Sequence, residues 1–162
     1  MMYEEVIHDF AQRTLANLAA IRRLSHSDLE TEEGRSEQKV FEVTQLVNST
    51  LGLLVFPQQK YLDRIVEKSL EELVTEGWPI PRVVGNYPQI SNLRQLVRML
   101  RNAISHFNLE FHPDSENEIG ILTVWNTDPR TQRVTWKAEL SISDLNGITE
   151  RFAELLLNRE TY

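Results

Sequence analysis

Ser91-Asn-Leu-Arg-Gln-Leu-Val-Arg-Met-Leu-Arg-Asn-Ala-Ile-Ser-His-Phe107 is the stretch on which the fold turns. Advanced by about 100° per residue, it sorts into two arcs. Leu93, Leu96, Val97, Leu100, Ala103, Ile104 and Phe107 share one; Arg94, Arg98, Arg101, Asn102, Ser105 and His106 share the other. The expectation is a helix from Leu93 to Phe107 or slightly beyond, half core and half cationic, hydrogen-bonding surface. Such a helix must bury its apolar side against other apolar faces, and the flanking sequence supplies them.

Upstream, residues 3 to 26 place Val6, Ile7, Phe10, Leu15, Leu18 and Ile21 at helical spacing. An acidic, polar connection follows from His26 to Ser36. A second helix is expected from about Ser36 to Phe56, ended by Pro57, because the residue before a proline disfavours the α region. A third is expected from about Gln58 to Thr75, with Leu62, Ile65, Val66, Leu70 and Leu73 inward and rows of Lys60, Arg64, Lys68 and Asp63, Glu67, Glu71 outward. The proline-rich run from Glu76 to Asn92 reads as a long connection, in which Trp78, Arg82 and Tyr87 either stack on bases or pack the loop; packing is the favoured reading. Beyond the central helix, Ile119 to Trp125 and Arg133 to Leu140 are rich in β-branched and aromatic residues around a turn-like Asn126 to Gln132, which reads as one hairpin. Ser143 is a candidate N-cap for a last helix that turns Leu145, Ile148, Phe152, Leu155 and Leu156 inward. The fold class expected is mainly α: a bundle of about five helices with one appended β-hairpin, in a single domain over residues 1–162.

The composition narrows function. No cysteine occurs among the 162 residues, so disulfide frameworks, zinc ribbons and thiol nucleophiles are excluded. No apolar run is long enough to span a bilayer, and the Met-Met-Tyr-Glu-Glu start lacks the basic and apolar regions of an export signal, so a cytoplasmic protein without membrane partners is expected. The 24 acidic residues outnumber the 17 basic ones, and a formal charge of −7 argues against coating of nucleic acid over the whole surface. Locally the sign reverses: no acid occurs between Ser91 and Leu109, where Arg94, Arg98 and Arg101 all lie.

Arg98, Asn102 and His106 are spaced four residues apart and so form one stripe. Arg101 sits at the other edge of the polar arc, about 140° from His106 on the same helix. Histidine exchanges protons near neutrality, arginine grips phosphate with a planar fork, and an amide orients an imidazole or donates to a phosphate oxygen. That set suits phosphodiester chemistry with neither metal nor cofactor. A blander reading stands beside it, in which the arginines serve solubility and His106 answers the helix dipole. Arg22 and His26 at the end of the first helix read as a cap, and His8 and His112 as surface residues.

Arg101-Asn-Ala-Ile-Ser-His106 resembles the R-x4-6-H motif of the HEPN superfamily, whose members often carry a polar residue directly after the arginine, as Asn102 does here. The likeness extends to Phe41 through Pro57, the Trp125-Asn126 hairpin and the Phe152 helix, which resemble a plasmid- and island-borne prokaryotic subfamily. It implies a metal-independent RNA endonuclease, acting as a toxin or an anti-phage defence effector. His106 would be the acid/base residue, Arg101 the phosphate and transition-state ligand and Asn102 their support, while Arg94, Arg98 and Ser105 would contact RNA. It also implies a homodimer in which two motif helices meet, and allows an antitoxin or regulatory protein as a partner. HEPN toxins paired with nucleotidyltransferase antitoxins carry a tyrosine two positions after the histidine. This chain has Asn108 there. The alternatives are a non-catalytic HEPN dimer that binds RNA, a nucleotide or a protein, and an interaction protein working through the Trp78 to Tyr87 segment or the hairpin.

Overall fold

In the computed structural model, residues 3–27, 42–55, 65–115 and 119–158 are described. They form five helices and four strands: α1 (Tyr3–Ser27), α2 (Glu42–Val55), α3 (Leu70–Thr75), β1 (Arg82–Val83), α4 (Leu93–Ser105), β2 (Leu109–Pro113), β3 (Ile119–Thr127), β4 (Val134–Ser141) and α5 (Ile142–Leu157). The mainly helical class holds. The appended β element, however, is a four-stranded antiparallel sheet of order β1-β4-β3-β2, not a lone hairpin.

Helices α1, α2 and α5 pack on one another, and α4 lies between α2 and the sheet. The core line of α1 is Ile7, Ala11, Thr14 and Leu18, with Phe10 and Leu15 partly buried against it. At Gly52 of α2 a side chain has no room, since a Cβ would meet Phe10 at 2.8 Å; the glycine lets α1 and α2 approach closely. Deeper in, the hydroxyls of Thr50 and Thr149 lie 2.6 Å apart and tie α2 to α5. Each also lies within hydrogen-bonding reach of the carbonyl one turn earlier in its own helix; the two hydroxyl protons serve two of these three contacts, so neither hydroxyl is buried without a partner. The α5 face expected from the sequence is the buried one: Leu145, Ile148, Phe152, Leu155 and Leu156 all lie in the core.

Two expected element boundaries and one expected cap are corrected. The third helix does not run through residues 65–69; it starts at Leu70, with Ser69 as its N-cap. The cause is a capping box, in which Ser69 Oγ accepts from the Glu72 amide while the Glu72 carboxylate accepts from the Ser69 N–H at 2.7 Å. Val66, expected inward, is exposed, whereas Ile65 and Leu73 are buried. The expected start of that helix, like residues 36–41 of the second, lies outside the described residues. The last helix is capped by Ser141, two residues before Ser143, through a second capping box with Asp144. Arg22 is no helix cap but a cross-link: it forms an ion pair with Glu150 at 2.5 Å and also donates to Asn146, joining α1 to α5. The His26 side chain lies outside the described residues.

The Glu76 to Asn92 segment is packed down rather than open. Trp78 is 6% exposed, Tyr87 rests on the core, and Arg82 reaches across the sheet to pair with Glu139. Its Arg82–Val83 stretch adds β1 to the outer side of β4. At its end the chain is pinned, with the Leu93 amide donating to the Lys68 carbonyl and that of Leu70 to the Ser91 carbonyl, so the starts of α3 and α4 are held together. No described helix is long and apolar enough to cross a membrane.

Candidate functional site

Helix α4 begins at Leu93, and the side chain of its N-cap, Asn92, accepts from the Gln95 amide at 2.8 Å. Its buried face is Leu93, Leu96, Val97, Leu100, Ala103 and Ile104, as the periodicity predicts. Phe107 is the exception. It stands 79% exposed, beyond the end of the helix, with φ of 56°. The amide of Asn108 donates to Ala103 and that of Phe107 to Ile104, which is the Schellman pattern with Phe107 at the left-handed position. Helix α3 closes in the same way, but with Gly77 at φ 74° in the corresponding place. A bulky side chain is disfavoured there and glycine is not. Phe107→Gly is therefore expected to stabilise the fold by roughly 0.5–1 kcal/mol, since an exposed ring contributes little burial. Thermal melting checks this, and a lowered Tm would contradict it.

This helix end makes one wall of a groove of about 690 Å³. Arg98, Asn102 and His106 line it together, so the stripe read from the four-residue spacing is brought into one place. His106 is the C-cap residue, half out of the helix and exposed at its end. Among the described residues, the side chains of Arg98, Asn102 and His106 make no hydrogen bond or ion pair, which leaves a cation, an amide and an imidazole turned to the groove. The opposite wall comes from the hairpin, as Asn126, Thr127, Pro129, Gln132 and Thr135, with Asn108 between the two.

The walls are held in register by Asn126, whose Nδ2 donates to the Met99 carbonyl of α4 at 3.1 Å while the residue is only 8% exposed. The loop beyond it is braced internally. Asp128 Oδ1 accepts from the Arg130 and Thr131 amides at 2.9 and 2.8 Å, and these hydrogen bonds, Thr131 first, hold the Asp128 carboxyl below its ordinary pKa. A buried asparagine cross-linking hairpin to helix has no periodic signature, so the sequence shows this segment as a turn alone. The visible hint was the Asn126-Thr-Asp-Pro run, rich in side chains that bond to backbone.

The other expected site residues lie apart from the groove lining. Arg94 donates to the Ile65 carbonyl at 3.1 Å and stands 3.9 Å from Glu67, so it braces the segment leading into α3. Ser105 is exposed and Arg101 half-buried, and neither lines the groove. Within one chain, then, His106 is gathered with Arg98 and Asn102, while Arg101 sits around the helix from them, as the 140° separation requires. Elsewhere, His112 hydrogen-bonds Thr123 at 2.9 Å across the β2–β3 pair. Among the described residues no cluster of three His, Cys, Asp or Glu side chains could hold a metal ion.

Neither curated proteins nor solved structures give a match to this chain. A family model described as HEPN pEK499 p136 matches it over residues 1–162. Because that match covers the whole chain, this protein belongs to that HEPN family.

Proposed function

We propose that the protein is a metal-independent RNA endonuclease acting as a homodimer, in the role of a toxin or a defence effector. The observation that carries the reading is the groove that collects Arg98, Asn102 and His106 at the end of α4 in a HEPN chain. An imidazole takes the proton of the RNA 2′-OH, the 2′ oxygen attacks the adjacent phosphorus, and the bond from phosphorus to the 5′ oxygen breaks. The departing oxygen takes up a proton from imidazolium, leaving a 2′,3′-cyclic phosphate and a 5′-OH. Arg101 offsets the charge that grows on the non-bridging oxygens. A two-fold axis beside α4 brings the Arg101 of one chain towards the His106 of the other, which resolves their separation on a single helix. Arg98 holds the neighbouring phosphate, and the Asn102 amide, which makes no hydrogen bond to His106 within the chain, donates to a phosphate oxygen.

The test is incubation of the purified protein with RNA in EDTA. Fragments with cyclic-phosphate and 5′-hydroxyl ends, produced by a species of dimer mass, are the expected result. RNA bound in the groove but left intact at high protein concentration would instead identify a non-catalytic HEPN module. The position of Arg101 away from the groove of its own chain is the observation that keeps this second reading in play.

A further inference from the structure

The two walls of the groove differ in chemistry, and the difference assigns them different parts of a ligand. The α4 wall carries Arg98 and His106; the hairpin wall carries no charged residue, being Thr127, Pro129, Gln132, Thr135 and the backbone-bonded Asn126. Three side chains on or beside it retain hydrogen-bonding capacity. Asn108 has its backbone clamped on both sides, its amide donating to Ala103 and its carbonyl accepting from Trp125 at 3.1 Å, while its side chain has no described partner. The Thr127 hydroxyl also has no described partner. Gln132 sits in the left-handed region at φ 56°, with Nε2 donating to the Pro129 carbonyl at 3.0 Å, and this leaves its Oε1 as a fixed acceptor.

We infer that this hairpin wall reads a nucleobase. The inference rests on the ribonuclease reading above and adds a specificity to it: Asn108, Thr127 and Gln132 select the base of a single-stranded RNA segment whose phosphate lies against Arg98 and His106. Cations hold phosphates without regard to sequence, whereas amide and hydroxyl groups at fixed positions match the donor and acceptor pattern of one base better than another. Fixed positions matter because a mobile amide accommodates any base edge: the Gln132 amide is pinned to the Pro129 carbonyl, while Asn108 and Thr127 are placed through their backbone. Here the Asp128 turn and the Asn126 link to Met99 hold the wall still. The base must be unpaired, since its hydrogen-bonding edge is otherwise occupied by the complementary strand.

The experiment is cleavage of a randomised single-stranded RNA pool in EDTA, with sequencing of the new 5′-hydroxyl ends. The expected result is a base preference at one position beside the cut. Gln132→Gly removes the side chain at a backbone position that glycine favours, so it leaves Tm unlowered. It is expected to flatten the preference by at least about fivefold, the discrimination of one lost base contact. Thr127→Val and Asn108→Ala provide independent variants of the same wall. Arg98→Ala is the contrast: weaker binding across all sequences with the preference retained. Wild-type cleavage without any base preference, or a preference unmoved in all three wall variants, overturns this inference and leaves the ribonuclease reading standing. A wild-type protein that neither binds nor cleaves RNA overturns both.

Discussion

His106→Ala is expected to lower the rate of RNA cleavage in EDTA by about 10²–10⁴-fold, the contribution of a positioned acid/base. The fold should be little changed. His106 is exposed at the C-cap of α4, and the helix end is closed by main-chain bonds from Phe107 and Asn108 that do not involve the imidazole. At most the dipole contribution of about 0.3–1 kcal/mol is lost, visible as a small shift in melting. Arg101→Ala is expected to cost about 10²–10³-fold in rate, by the removal of a donor aimed at developing charge. Because Arg101 does not line the groove that holds His106 of its own chain, the two variants offer a sharper test when mixed. If the sites span the two-fold axis of the proposed dimer, a heterodimer sets the intact arginine of one chain against the intact histidine of the other. After statistical re-assortment half the dimers are hetero, each with one complete site, so roughly a quarter of wild-type activity returns if the sites span the two-fold axis. Two inactive variants that stay inactive on mixing would place Arg101 and His106 in a single-chain site. Cleavage undiminished in both would remove these residues from the mechanism altogether.

Which parts of this arrangement could be read from sequence follows from how local their causes are. The two arcs of α4 depend only on a 3.6-residue period, so its buried face and the Arg98, Asn102 and His106 stripe are legible in the sequence. The third helix was drawn too long because apolar spacing continued across Ser69, while the Ser69-Leu-Glu-Glu72 capping box was the stronger local signal. Strands β1 and β2 have no such signal. Arg82–Val83 is two residues beside a proline, and Leu109–Pro113 ends in one; each is a strand only because β4 or β3 supplies its partner. The arc of α4 also overreached at Phe107, since a Schellman closure usually announces itself by glycine, as at Gly77. Arg22 shows the same limit from the other direction: Asn146 and Glu150, with which it hydrogen-bonds, lie on α5 more than a hundred positions away, and no spacing near Arg22 encodes them. The hairpin wall of the groove was hidden for that reason too, as Asn126 meets Met99 only in three dimensions.

That wall depends on Trp136, and Trp136→Ala is expected to destabilise the fold by about 3–5 kcal/mol, the usual cost of emptying a large core site. Trp136 is 1% exposed and stands opposite Asn126 in the β3–β4 ladder, so it supports the residue that links the hairpin to α4. At roughly 2–4 °C per kcal/mol for a chain of this size, the melting temperature should fall by about 6–20 °C. Loss of volume is only part of the position's energetics. The indole Nε1 is buried with no hydrogen-bond partner among the described residues, a desolvation penalty of about 1–3 kcal/mol that the folded state carries. Trp136→Phe deletes that N–H along with part of the ring, so the gain offsets much of the cavity, and its melting should lie far closer to wild type than that of Trp136→Ala. Cleavage should follow the same order, retained in the phenylalanine variant, where the aromatic support under Asn126 persists, and lost in the alanine variant, where β4 can sag away from β3 and take the groove wall with it. Equal destabilisation by the two substitutions would mean that the indole N–H is satisfied in solution. The support of the wall would then come from a polar contact rather than from packing alone.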